Sequence, residues 1–256
     1  MLGLLLAPAL HAAPSRVVSM NVCTDQLAML VAAPGQLVSV SHLARDPGMS
    51  AMPVEALAYR VNHGRAEEIY LLEPDLVLAS TFSDRATVAM LRRVGIEVLE
   101  FPPAAALGDI PRRLRAMGAA LGRETAADAE ARAFETALAA RRGEERGRAA
   151  LYGPGGYYRG GGTLAGDVLR AAGFSTISDA VGRDYGGFLP LELMVLAAPD
   201  LIVTPGAAEA ASRAHALLAH PALDDAAEGR ALTNRDWVCG TPAVLGAIEG
   251  IAGGPR

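Results

Sequence analysis

The groups in this 256-residue chain that could bind a metal, form a cross-link or grip a polar ligand are few and far apart. Cys23 and Cys239 stand near opposite ends, and the histidines include His42, His63, His215 and His220. A metal site built from both cysteines with His42 or His63 lacks the short spacings of a compact zinc motif. His215 and His220 are five apart with Pro221 following, so they do not share a helical face. Pairing Cys23 with Cys239 would clamp the two ends of the chain and needs Cα atoms within about 7 Å. The expectation is instead two separate thiols, each buried or facing ligand. All 23 basic residues are Arg, which excludes a catalytic or P-loop lysine. There is no nucleophile elbow and no dense acid–base cluster. Gly160-x-Gly162-x3-Gly166 falls short of a dinucleotide fingerprint, because the preceding strand ends too early and no acid-tipped second strand follows.

The most regular spacing belongs to two acids. Glu67-x6-Pro74-Asp75-Leu76-Val77 matches Glu192-x6-Pro199-Asp200-Leu201-Ile202 at an offset of 125 residues, with an apolar helical pattern between Glu and Pro each time. A helix stopped by Pro and turned by Asp into a strand is a common connection. That explains the Pro-Asp pairs but not the equal distance to an acid, so the reading is an internal repeat.

The elements that must position these residues alternate. Strand patterns occupy Arg16–Met20, Gln36–Ser41, Leu76–Ser80 and Glu97–Phe101; helical patterns occupy Thr24–Val31, Ala66–Leu72 and Asp84–Val94, the last capped by Asp84. Arg123–Arg148 is rich in Ala, Glu and Arg and reads as one long, largely exposed helix. The alternation then resumes with Ala149–Tyr152, Thr163–Ala172, Glu192–Ala197, Leu201–Thr204 and Ala207–Ala219. The predicted fold is α/β, two Rossmann-like lobes bridged by a single long helix with a ligand cleft between them. The predicted divisions are 14–122, 123–148 and 149–256.

At 51% apolar and 20% charged, with net charge −5 and mean hydropathy +0.25, the chain has the composition of a folded protein without a nucleic-acid footprint. No apolar run reaches the ~18–20 residues of a membrane span. Residues 1–13, MLGLLLAPALHAA, have the length and small-residue ending of a signal peptide without its positive start. The expectation is an exported chain beginning near Ala13.

The string Asn62-His63-Gly64-Arg65-Ala66-Glu67-Glu68-Ile69, running into Pro74-Asp75-Leu76-Val77-Leu78, resembles the signature of periplasmic binding proteins for cobalamin and ferric siderophores. The opening RVVSMN, the ARDP loop, GTLAGDVLRAAGF, LELMVLAAPDLIV and the terminal DWVCGTP extend the resemblance over nearly the whole chain. It implies a non-catalytic, monomeric component of an ABC importer without a cofactor of its own, working in the periplasm. It also implies that Glu67 and Glu192, one per lobe, dock with arginines of a two-fold permease.

Ligands of open α/β lobes sit beyond the carboxyl ends of the parallel strands. The loops expected there carry Asn21, Cys23, His42, Arg45, Asn62, Phe82, Tyr152, Tyr157, Tyr158, Arg159, Trp237 and Cys239, with Tyr185 and Phe188 alongside. Aromatics and arginines suit a large anionic metal chelate. Trp237 suits core and cleft equally. The segment GPGGYYRGGG is too Gly-rich for core and reads as a flexible cleft loop. The resembled cobalamin binders place aromatics where this chain has Leu43, Val61 and Gly186, which puts a ferric siderophore ahead of a corrinoid. An enzyme with an inter-domain cleft, and a haem or bare-metal binder, are the alternatives.

Overall fold

The computed structural model describes residues 12–141, 144–205, 213–227 and 229–253. Most of the expected leader, 1–13, and the start of the expected helix Ala207–Ala219 lie outside the described residues. The first lobe runs β1 (Val17–Ser19), α1 (Val22–Val31), β2 (Leu37–Ser41), β3 (Arg60–Asn62), α2 (Ala66–Tyr70), β4 (Leu76–Ser80), α3 (Arg85–Arg93) and β5 (Glu97–Phe101). These strands form an all-parallel sheet ordered β3-β2-β1-β4-β5. Burial on both faces explains why β4, LVLAS, is apolar throughout rather than alternating. Asp84 caps α3 by accepting the Thr87 N–H at 2.7 Å.

Two helices follow, α4 (Asp109–Leu121) and α5 (Glu124–Ala139), packed side by side. Gly118 permits the contact: a Cβ there would stand 2.3 Å from Ala127 Cβ. Helix α5 is shorter than the expected Arg123–Arg148. Its composition continues to favour helix, but Gly147 onward is taken into the second sheet, where pairing with three strands outweighs local propensity.

The second lobe contains β6 (Gly147–Tyr152), β7 (Tyr157–Arg159), α6 (Leu164–Ala171), β8 (Phe174–Thr176), α7 (Ser178–Val181), β9 (Gly187–Phe188), α8 (Leu191–Ala197), β10 (Leu201–Pro205), α9 (Arg213–Ala216), α10 (Pro221–Asp225), β11 (Gly229–Thr233) and α11 (Val244–Ala252). Its sheet is ordered β11-β10-β6-β7-β9, with β8 beside the start of β6. Strand β7 is antiparallel to both β6 and β9.

The acid repeat extends to backbone detail. Among the described residues only Glu73 and Ala198 are non-glycine residues with positive φ, 48° and 44°. Each lies six residues after its glutamate and just before the Pro-Asp pair. Asp75 accepts the N–H of Arg16 at 3.0 Å and Asp200 that of Arg148 at 2.6 Å. Arg16 in turn donates to the carbonyls of Leu72 and Glu73, and Arg148 to that of Ala198. The same corner, with its helix-ending carbonyls held by an arginine, is thus built twice.

One apolar core runs through both lobes and the bridging helices, including Leu27, Leu78, Leu114, Phe134, Leu169 and Ile248. Helices α2 and α8 lie outside it, each in a smaller cluster on the far face of its sheet. Contrary to the expectation of separate thiols, Cys23 and Cys239 form a disulfide with Cα atoms 5.2 Å apart. Sequence separation had argued against it, but α1 begins and the segment before α11 ends where the lobes touch. The next two residues add further ties. The buried Arg113 guanidinium donates to the Gly240 carbonyl at 2.6 Å, and Thr241 Oγ1 lies 3.5 Å from Gln26 Oε1.

Removing this disulfide as Cys23→Ser/Cys239→Ser is expected to cost about 2–5 kcal/mol, as for bridges that close long loops. Thermal melts with and without reductant check this: the wild-type melting temperature should fall in reductant and that of the double variant should not move.

Candidate functional site

Strands β1, β4 and β5 of the first lobe and β6, β10 and β11 of the second direct their carboxyl ends toward the space between the lobes. A cavity of 730 Å³ opens there. Phe82 and Pro103–Ala105 line it from the first lobe; Tyr157, Arg159, Leu164, Tyr185, Trp237 and Val238 line it from the second. An adjoining cavity of 380 Å³ shares Tyr157, Arg159, Trp237 and Val238 and reaches Met49 and Pro205. Phe82 and Tyr185 are 82% and 79% exposed, unpacked aromatic surface facing the space. The Arg159 guanidinium makes no ion pair among the described residues and so is available to an anion. A further 730 Å³ hollow lies among α4, α5 and α6, lined by Leu107, Phe134, Leu138 and Asp167, away from the strand ends.

The expected site residues divide. Phe82, Tyr157, Arg159, Tyr185 and Trp237 come together on the cavity walls. Phe188 supports them, meeting Tyr157 edge-on with ring centroids 5.9 Å apart. Trp237 is both core and wall: 9% exposed, it belongs to the shared core and shows its remaining edge to the cavities.

Other candidates are structural. Tyr158 is fully buried, its hydroxyl 2.9 Å from Ser178 Oγ, and Tyr152 is buried with its hydroxyl donating to the Leu189 carbonyl. The glycines around them mark close backbone approach rather than flexibility, since a Cβ on Gly160 would stand 2.1 Å from the Asp184 carbonyl oxygen. Asn62 is 1% exposed, and its amide donates to the Ser19 carbonyl, the Val40 carbonyl and Ser39 Oγ, tying β1, β2 and β3 together. Asn21 caps α1 by accepting the Cys23 N–H. Arg45 donates to the carbonyls of Ala56 and Tyr59, holding the turn before β3. Cys23 and Cys239 are consumed by their disulfide.

His42 and His63 leave the ends of β2 and β3 and stack with centroids 5.1 Å apart, both exposed. His63 Nδ1 lies 3.3 Å from Glu68 Oε1. Glu68 also accepts the His63 backbone N–H, which with the nearby imidazole holds its carboxyl below the usual range. Neither histidine lines the two interlobe cavities. No group of three or more His, Cys, Asp or Glu among the described residues is placed to hold a metal ion.

Asp25 escaped the sequence reading. It lies fully buried in the first turns of α1, accepting the Ser41 hydroxyl at 2.5 Å and the Ser41 N–H. Burial raises its pKa to about 7, against the opposing pull of its Ser19 and Ser41 hydrogen bonds. The available signal was an acid one turn after a capping Asn, on a helix with no polar face.

The sequence matches the periplasmic binding protein family over residues 17–230. The chain belongs to this family. Its members bind substrates, so the cleft belongs to a binding protein rather than an enzyme. A cobalamin-binding protein of Halobacterium salinarum is 26% identical over 205 residues, 77% of this chain and 56% of that protein. The chain therefore spans little more than half that relative's length. A possible iron-binding (periplasmic solute-binding) protein of Staphylococcus epidermidis superposes with TM-score 0.77 at 12% identity, covering 94% of this chain and 98% of that one. The periplasmic haem-binding protein of Vibrio cholerae superposes with TM-score 0.72 at 20% identity, over 93% and 97%. These structures establish the two-lobed fold. No helix among the described residues of this binding protein is long and apolar enough to cross a membrane.

Because the Asp25 pKa is raised on folding, the native state holds a proton that the unfolded chain releases. The stability this contributes is complete below about pH 4 and is lost as pH rises through about 7, by up to about 4 kcal/mol. Asp25→Asn should flatten the dependence of unfolding free energy on pH between 4 and 8, measured by denaturant titration; an unchanged slope would place the titration elsewhere.

Proposed function

We propose that the chain is the periplasmic substrate-binding component of an ABC importer, capturing a ferric siderophore or a related metal chelate and delivering it to the permease. The interlobe cavity carries this reading. Its 730 Å³ lie within the usual range for small-molecule sites, and its lining pairs exposed aromatics with one uncommitted guanidinium. Phe82, Tyr157, Tyr185 and Trp237 offer flat apolar area, the last three with a polar O–H or N–H, and Arg159 offers a charge for carboxylate or hydroxamate oxygens. The metal is cargo, enclosed by its own chelator, so the protein needs no ligand cluster.

Gly186 supports a siderophore over a corrinoid. Its φ is 99°, and a side chain there would begin 2.3 Å from the Tyr158 carbonyl oxygen, so this backbone cannot present an aromatic platform at that position. The stacked His42–His63 pair favours a second reading. Glu68 engages one nitrogen of His63 in the manner of a carboxylate that orients a metal-bound imidazole, leaving the other nitrogen for haem iron.

Glu67 and Glu192 are exposed in the first turns of α2 and α8. Each of these helices runs back from the cleft end of its sheet to the start of β4 or β10. One carboxylate at the cleft end of each lobe is an arrangement that would suit two equivalent permease arginines.

Thermal melts with ferrichrome, cyanocobalamin and haemin separate the readings. Ferrichrome is expected to raise the melting temperature most, a ligand at 100 times its dissociation constant adding about 2.7 kcal/mol. It should also quench the emission of Trp237, the chain's single tryptophan. Stabilisation by haemin alone, lost in His63→Ala, would replace the siderophore reading with the haem one. No response to any of the three would overturn the chelate proposal. The Glu67→Ala/Glu192→Ala variant should keep its melting temperature and chelate affinity while cellular uptake is lost; normal uptake in cells lacking another binding protein would remove the docking role.

A further inference from the structure

The repeat around Glu67 and Glu192 includes more than the carboxylates. Four residues after Glu67 stands Leu71, 79% exposed; four residues after Glu192 stands Leu196, 78% exposed. A separation of four puts each leucine on the same helical face as its glutamate, one turn along. The inward face is duplicated too. Ile69 and Met194, each two residues past the glutamate, are fully buried and anchor α2 and α8 to their sheets. Tyr70 and Leu193 add further exposed apolar area to the outer faces.

A single exposed leucine needs no explanation. Two at equivalent positions, each beside an exposed carboxylate, in halves whose sequences have otherwise diverged, are a different observation. Nothing among the described residues covers either one, and both helices lie outside the core that joins the lobes.

We infer that Leu71 and Leu196 are the apolar half of a two-point docking face, each seating in a hydrophobic depression beside the basic group that receives its glutamate. The inference rests on the docking role proposed above and commits to the same partner: a membrane protein presenting one basic-and-apolar site twice, related by two-fold symmetry. Charge sets the approach and register at each point, and burial of the leucine slows release. The combination keeps attachment from depending on ion pairs that salt screens.

The test uses the full chain and periplasmic-side-out membrane vesicles of the organism that makes it. Benzoylphenylalanine placed at position 71 or at position 196 should photo-cross-link to one and the same integral membrane polypeptide. Leu71→Ser/Leu196→Ser should weaken saturable vesicle binding by about tenfold or more. That loss should persist at about 0.5 M salt, where the loss caused by Glu67→Ala/Glu192→Ala shrinks because wild-type binding itself weakens. Both leucine positions are exposed, so unchanged melting temperature and ferrichrome binding serve as controls, and Leu71→Met/Leu196→Met should restore attachment. Vesicle binding by the serine variant within about twofold of wild type, below the effect of a lost hot spot, would overturn the inference. If the glutamate variant failed to bind in the same experiment, the docking role would stand without the leucines. The reverse pattern would keep the apolar face and remove the carboxylates. Cross-links to two different polypeptides would defeat the two-fold partner.

Discussion

Three consecutive residues, Cys239, Gly240 and Thr241, hold the two lobes in register. Each makes its tie by a different force: a covalent bond to Cys23 of the first lobe, a carbonyl that receives the buried Arg113 guanidinium of bridging helix α4, and a hydroxyl beside Gln26 of the first lobe. Gly240 adds a steric condition, since a Cβ there would stand 2.1 Å from Ala104 Cβ, and Ala104 is itself part of the cavity wall. The tripeptide thus fixes the floor of the cleft, and the separation of its walls follows. A second tie, from the Leu107 N–H to Asp167 Oδ2 at 2.9 Å, joins the segment leading into α4 to α6.

With the floor fixed, the aromatics above it can remain unpacked. Phe82 and Tyr185 project from loops whose backbones are anchored elsewhere, by the end of β4 and by the Gly160–Asp184 contact. A cavity whose walls are braced at the base gives up less conformational freedom on binding. The bridging pair α4 and α5 contributes to the same rigidity, because their close approach at Gly118 makes them one body rather than a hinge. A body of that kind between the lobes favours small relative movements over large closure.

What was legible in the sequence follows from which forces are local. β4 and β5 were read with their observed ends: β4 is buried on both faces and so a continuous apolar run after Pro and Asp, while β5, at the sheet edge, is a short run after Gly95 with its glutamates outward. Short strands were missed where their pairing, not their composition, makes them: β7 and β9 consist of five residues rich in Gly and aromatics, extended only because they pair with each other and with β6. The same segment misled about Tyr158, because glycine was taken as a sign of mobility when here it lets two backbones meet. Asn62 and Asp25 were hidden for a related reason. Both are polar groups near strand ends, and only the positions of Ser19, Ser39 and Ser41 decide whether they face ligand or bind together the sheet. The repeat around Glu67 and Glu192 was the opposite case, legible because an equal spacing survives without tertiary information. The disulfide was illegible because closeness across 216 residues is a property of topology alone.

That separation also orders how the molecule is made. All five strands of the first sheet precede residue 102, so the first lobe can assemble while the second is still being synthesised. Cys23 has no partner until residue 239 has been made, long after the first sheet is complete. A chain cut short before Cys239 could fold its first lobe yet would lack the bond, the guanidinium acceptor and the hydroxyl contact together. Closing the bridge therefore follows the last strand of the second sheet, and only then is the width of the cleft fixed.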